Sequence, residues 1–289
     1  GVDPVVMTYA PEEMFFRAFR HAEFDVCELS MSSQVVKVAR RENAYLALPV
    51  FLSRAFRHTS IYVRTDRVKR PEDLKGRRVG VPEYQLTAIV WARALLQDDH
   101  GVAPADVTWV RGGIDEPGRP EKIPLSLPAG IRLESAPGGD TLSAMLDRGD
   151  LDGFIAPRPP SCRNPDVGWL FPDPTAAAKD YYRRTRIYPI MHVLGVRREL
   201  VERHPWLPAS LLKAFEASKE WVYNDLSEGI REAKTSGKPL LVVFRCIPCE
   251  ACQEFDDDVA LRDPIIRDLL DKFVCVRIVQ ANTIDLTHF

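Results

Sequence analysis

The chain has 289 residues, 45% hydrophobic and 28% charged, which gives room for two domains with ordinary cores. Its formal net charge of -2 gives no electrostatic reason to bind nucleic acid or anionic lipid, and no apolar run approaches the roughly 18 residues that span a bilayer. Of its six cysteines, Cys27, Cys162 and Cys275 are scattered while Cys246, Cys249 and Cys252 cluster, a pattern unlike the disulfide framework of a small secreted domain.

In chain order, residues 14–20 predict a helix with Met14, Phe15, Ala18 and Phe19 apolar, followed by a strand over 24–29. Strands follow at 46–51 and 60–63. A one-turn helix over 71–76 leads into a strand at 78–81 and a helix at 86–97. A strand at 107–110 precedes the Gly/Pro-rich, charged stretch 111–130, too long for a routine connection and so a covering or functional element. A helix over 142–146 and a strand at 153–155 repeat the earlier pattern of helix, acidic turn, Asp and short apolar strand. The stiff loop 157–161 follows, then a helix at 176–184, a strand at 192–196 and a helix at 207–223. Strands alternating with helices predict an α/β protein with mostly parallel sheets. Composition shifts near Asn224, which divides the chain into 1–223 and 224–289. The second part predicts a helix at 225–233 and a buried strand at 240–244 running straight into Cys246.

The stretch from Arg78 through Thr87 is the most informative. It reads as strand, tight turn and helix start, with Glu83, Tyr84, Gln85 and Thr87 gathered at a helix N-terminus that can seat an anion. No phosphate-cradling glycine loop accompanies it, so a carboxylate is expected there rather than a nucleotide.

The segments 24–33, 54–63 and 80–85, together with Gly112-Gly113, residues 116–122 and Tyr188-Pro189-Ile190-Met191-His192, resemble the 4,5-dihydroxyphthalate decarboxylase family. The resemblance runs from Gly1 to about Trp221. It implies a type 2 periplasmic-binding-protein-like fold, two α/β lobes around a ligand cleft, with the second lobe at roughly 82–188. The family pattern carries a strand before Gly1 and helices after Trp221, so the fold is expected to be incomplete at both ends. The last segment resembles a truncated thioredoxin-like domain through Val242-Val243-Phe244, Cys246-Ile247-Pro248-Cys249 and the strand at 273–278. Arg245 stands there where that family usually has Trp.

The resemblance implies a carboxy-lyase acting on a small hydroxylated aromatic dicarboxylate. A hydroxyl para to the departing carboxylate donates electrons, a general acid protonates the ring carbon, and no organic cofactor is expected. The candidate acid/base groups are His58, His192 and Glu83. Arg57 is the candidate carboxylate clamp, joined by Ser30, Ser32, Ser33, Tyr84, Gln85, Thr87, Arg158 and Ser161. Arg57, His58, Tyr84 and Arg158 are expected to share one cavity. Each has a plain structural alternative: a histidine satisfied by backbone, a helix cap, a turn serine, a solvated arginine. Convergence of His58, His192, Glu83 and Glu116 on a metal is a minor possibility, since no ligand spacing supports it. Cys246 and Cys249 are candidates for a dithiol redox pair, with metal binding or an inert fold as rivals. A solute-binding protein for small carboxylates and a thiol oxidoreductase are the competing functions. No signal peptide is legible, so a cytoplasmic setting is expected, although Gly1-Val2-Asp3-Pro4 lacks an initiator Met.

Overall fold

The computed structural model describes residue 5 and residues 7–219, 226–245 and 264–279. The chain divides into two compact units, Gly1–Pro208 and Ala209–Phe289.

In the first unit, α1 (Pro11–His21) starts with Pro at its first position and Glu12 and Glu13 in its first turn. It ends with Arg20 and His21 ahead of a left-handed cap at Ala22, so both ends suit the helix dipole. Its buried face, Phe15 and Ala18, rests on β1 (Val26–Ser30). From β1 the chain passes through α2 (Met31–Ala39) to β2 (Tyr45–Arg54). These two strands do not pair. The returning strand β9 (Ile190–Arg197) lies between them, antiparallel to both, in the order β1-β9-β2. The small sheet is therefore antiparallel throughout, not parallel as expected, because its central strand arrives from the other lobe. Gly195 on β9 is required by close approach: a Cβ there would lie 2.2 Å from Leu29 Cδ1.

The second lobe is a six-stranded sheet. In chain order its strands are β3 (Ile61–Arg64), β4 (Arg78–Val81), β5 (Thr108–Arg111), β6 (Arg132–Ser135), β7 (Gly153–Ile155) and β8 (Val167–Trp169). Their spatial order is β6-β5-β4-β7-β3-β8. The run from β6 to β7 is parallel, and β3 is antiparallel to β7 and β8. Helices α3 (Thr87–His100), α4 (Leu142–Arg148) and α5 (Pro174–Thr185) complete it. The core of this lobe holds Trp109, Phe154, Ile61, Leu74 and Ile89, all fully buried. The lobe begins earlier than residue 82, since β3 enters the sheet at Ile61 on leaving the first lobe.

The two chain crossings between the lobes run side by side. Ala55 N–H donates to the Pro189 carbonyl at 3.1 Å, Arg54 Nη1 donates to the Tyr188 carbonyl at 3.0 Å, and the Phe56 and Tyr188 rings stack at 4.9 Å. Trp91 on α3 donates to the Ile190 carbonyl at 2.9 Å, which pins the second lobe to the start of β9. After β9 come α6 (Arg198–Arg203) and α7 (Leu207–Lys219).

In the second unit, α8 (Leu226–Ser236) packs on β10 (Leu240–Arg245), which pairs in parallel with β11 (Val274–Val279). Helix α9 (Pro264–Leu270) precedes β11. Leu226 and Val276 are its buried core, with Leu240 and Val242 against them. The expected strands are present. Cys246, Cys249 and Cys252 lie outside the described residues.

Candidate functional site

A cleft of about 460 Å³ opens between the two lobes. Glu12, Glu13 and Phe16 of α1 line one side. Glu83, the loop from Gly113 to Pro120, Lys122 and Arg158 line the other. The loop must fold tightly: a Cβ on Gly113 would lie 1.7 Å from the Glu116 carbonyl oxygen.

Glu83 is the centre of the cleft floor. It leaves β4 at the turn before α3 and is 1% exposed. Oε1 accepts from Arg119 Nε at 2.9 Å, Arg119 Nη2 at 2.8 Å and Lys122 Nζ at 2.5 Å. Oε2 accepts from Gln85 Nε2 at 3.1 Å and the Lys122 backbone N–H at 3.3 Å. Burial alone would raise its pKa, but Lys122 and Arg119 outweigh that and hold it below the usual glutamate range. A carboxylate so surrounded stays ionised and does not serve as the general acid, which corrects the role expected from the sequence. Beside it Glu121 Oε1 accepts the Tyr84 backbone N–H at 3.0 Å, while its other oxygen is buried with no partner among the described residues, and burial raises its pKa.

The polar groups at the start of α3 bind the other lobe, not open space. Ser30 Oγ and Thr87 Oγ1 are 3.0 Å apart, the Ser32 N–H donates to Thr87 Oγ1 at 3.0 Å, and Ser32 Oγ donates to the Gln85 carbonyl. Ser33 Oγ donates to Gln85 Oε1 at 2.6 Å. Ser30, Ser32, Ser33, Gln85 and Thr87 were expected to hold substrate. They sew the turn after β1 to the turn after β4, because each buried hydroxyl or amide must find a partner and the opposing turn supplies it. Tyr84 is likewise buried, with its ring edge-on to Trp109 at 5.7 Å and the Arg93 guanidinium 3.7 Å from its centroid.

The histidines sit elsewhere. His58 is 4% exposed, lies edge-on to Phe171 at 5.1 Å and Tyr181 at 5.7 Å, and its buried Nδ1 has no partner among the described residues. Burial lowers its pKa to about 4, so it is a neutral aromatic side chain at neutral pH and holds no imidazolium proton to give. His192 lies in mid-sheet on β9, with Nδ1 2.5 Å from Glu28 Oε1 and its ring against Phe15. Neither lines the cleft. Arg57 is half-buried, donating to the Met191 thioether at 3.0 Å and Ser60 Oγ at 3.4 Å, with no acidic partner among the described residues; burial lowers its pKa to about 10. Of the four residues expected in one cavity, Arg158 alone lines the cleft. Arg57, His58 and Tyr84 are drawn into the packing of their own elements.

Arg158 is exposed and donates to Asp115 Oδ2 at 2.7 Å. Ser161 is exposed, and its backbone N–H donates to Ser143 Oγ at 3.0 Å. His58, His192, Glu83 and Glu116 do not converge, and among the described residues no group of three His, Cys, Asp or Glu side chains is arranged to hold a metal ion.

Arg119 and Lys122 were not singled out from the sequence. Their signals were the 116–122 motif and the unusual length of the 111–130 loop, which mark a functional element without saying which of its charges turn inward.

Residues 221–287 match the thioredoxin-like family model Thioredoxin_7. The chain is 56% identical over 232 residues to a 4,5-dihydroxyphthalate decarboxylase of Comamonas testosteroni, covering 79% of this chain and 70% of that one. It is 59% identical over 187 residues to a 4,5-dihydroxyphthalate decarboxylase of Pseudomonas putida, covering 63% of this chain and 72% of the relative. Among solved structures, the periplasmic aliphatic sulphonate binding protein SsuA from Escherichia coli is similar at a TM-score of 0.38 and 15% identity, over 77% of this chain and 65% of that chain.

Proposed function

Because this chain belongs to the 4,5-dihydroxyphthalate decarboxylase family, whose members are carboxy-lyases, we propose that it removes one carboxylate from 4,5-dihydroxyphthalate or a closely similar dihydroxylated aromatic acid in the cleft between its lobes. The observation that carries the reading is the identity of 56% and 59% to two decarboxylases.

The chemistry asks for three things. The ring is its own electron source, since each carboxylate of this acid is para to a hydroxyl that can push density toward the reacting carbon. The ring carbon takes a proton with the density the hydroxyl supplies, the carbon–carbon bond breaks, its electron pair restores the aromatic ring, and carbon dioxide leaves with 3,4-dihydroxybenzoate as the second product. The retained carboxylate needs a cation. Arg119 and Lys122 share one carboxylate, Glu83, on the cleft floor, and they are the donors there that a substrate carboxylate can reach, while Glu12, Glu13, Asp115 and Glu116 line the same cleft. Glu12, Glu13 and Glu116, which line the cleft, are candidates to accept hydrogen bonds from ring hydroxyls.

Incubating the chain with 4,5-dihydroxyphthalate and measuring carbon dioxide and 3,4-dihydroxybenzoate tests the reading. Equal amounts of the two products are expected. Saturable binding with no product above a boiled control would overturn it in favour of a solute-binding role.

A further inference from the structure

Carbon accepts a proton slowly, so decarboxylation needs an acid that is close, desolvated and willing to let go. The groups around the cleft sort by that demand. Glu83 and Asp115 are ionised acceptors already paired with cations. The guanidinium groups of Arg119 and Arg158 do not release protons in proteins. Glu12, Glu13 and Glu116 stand on exposed stretches of the cleft wall. His58 and His192 lie outside the cleft.

Lys122 is different. Its side chain is 3% exposed yet lines the cleft. Nζ donates to Glu83 Oε1, its one acceptor among the described residues, so two of its three N–H bonds are uncommitted. Arg119 donates to the same carboxylate oxygen, so two cations share one counter-charge. We propose that Lys122 is a catalytic residue of this cleft, the acid that protonates the ring carbon as carbon dioxide leaves, with Glu83 and Arg119 as its positioning residues.

The inference rests on the decarboxylase reading and names the acid which that reading requires. The step balances without an oxidant or reductant. A ring electron pair, supplied by the para hydroxyl, takes the proton at the carboxylate-bearing carbon, and the electron pair of the breaking ring–carboxylate bond restores the aromatic ring. The Nζ–H bond breaks, its proton forms the new C–H bond, and Lys122 is left as a neutral amine that regains a proton from water. The setting favours the transfer. Burial lowers the Lys122 pKa, Glu83 and Glu12 pull it back up, and Arg119 lowers it again, for a net position below the ordinary lysine value.

The test is kcat and KM for 4,5-dihydroxyphthalate across pH in the wild-type chain, Lys122→Arg and Glu83→Gln. The wild-type kcat should fall with rising pH through a pKa below the ordinary lysine value of about 10.4. Lys122→Arg keeps the charge without a transferable proton, so kcat should drop on the order of 10²- to 10⁴-fold while KM stays within about threefold. Glu83→Gln removes the counter-charge and should move the alkaline limb to lower pH. A wild-type kcat flat to about pH 10.4, or Lys122→Arg with kcat retained or only KM raised, overturns the inference while the decarboxylase reading stands. If Lys122→Arg does not fold, the shift of the alkaline limb between the wild-type chain and Glu83→Gln decides, since a limb set by the substrate's own hydroxyls would stay in place. A wild-type chain with no turnover overturns the decarboxylase reading, and the inference falls with it.

Discussion

Ser33 Oγ donates to Gln85 Oε1 at 2.6 Å, and both side chains are buried. Ser33 belongs to α2 in the first lobe and Gln85 to the turn before α3 in the second. Gln85 passes the connection on, since its Nε2 donates to Glu83 Oε2 at 3.1 Å. The carboxylate on the cleft floor is thereby coupled to the opposite lobe through two hydrogen bonds.

Ser33→Ala leaves Gln85 Oε1 buried without a donor. Stability is expected to fall by about 1–3 kcal/mol, the cost of an orphaned buried polar group. Urea unfolding measures it, and Ser33→Ala combined with Gln85→Leu should recover part of the loss. A single variant as stable as the parent would show that Gln85 finds another partner.

Glu83→Ala strands the buried Lys122 and the half-buried Arg119 without their shared counter-charge. The expected loss is about 3–5 kcal/mol, as for breaking any buried ion pair. Arg158→Ala breaks an exposed pair with Asp115 and should cost less than about 1 kcal/mol. Denaturant midpoints for the two variants give the comparison, and equal losses would contradict the burial difference. Because the folded-state pKa of Glu83 is depressed, its share of stability is present above the unfolded glutamate pKa and lost as pH falls through the folded one.

The His58 pKa, lowered to about 4 by burial, makes an acid-side prediction. Between its unfolded pKa, about 6.5, and that folded value the unfolded chain binds a proton that the native chain refuses, so stability falls on acidification across this window. The contribution amounts to at most about 3 kcal/mol. His58→Phe keeps the contacts with Phe171 and Tyr181 and should flatten the fall between neutral pH and pH ~4.5. An NMR titration of His58 with a midpoint near 6.5 would refute the assignment.

Arg57 separates stability from function. Its half-buried guanidinium has no carboxylate partner among the described residues, so Arg57→Met should raise thermal stability, by on the order of 1 kcal/mol, by removing an uncompensated charge. If it anchors a substrate carboxylate, KM should rise about tenfold or more in the same variant. Unchanged KM with raised stability would assign Arg57 to packing against Met191 alone.

Much of the fold was legible one element at a time. The strand at 78–81 was read to the residue, because four residues flanked by a charged turn and a Pro leave little choice. The helix after it was read within a few positions from its apolar spacing. The doubled pattern of helix, acidic turn and Asp-led strand was also sound, at Asp25 before β1 and Asp152 before β7. The small sheet departs from the mostly parallel pairing expected from strands alternating with helices, since β9 runs antiparallel to both β1 and β2. Nothing near them announces that β9, more than a hundred residues later, will run between them.

The candidate site divides along the same line. The local sequence settled that Glu83, Gln85 and Thr87 crowd a helix start, that residues 111–130 form a long covering loop, and that motifs from Ser30 to His192 resemble a decarboxylase, because spacing, turn chemistry and motif order are carried by neighbouring residues. Only the tertiary structure decided that the serines and Gln85 bond to one another, that His58 is buried among aromatic rings, and that Lys122, 39 positions after Glu83, shares its carboxylate with Arg119. Those outcomes depend on which loop closes over which strand end. A charge or hydroxyl takes whatever partner the far chain brings within about 3 Å, a distance that sequence separation does not encode.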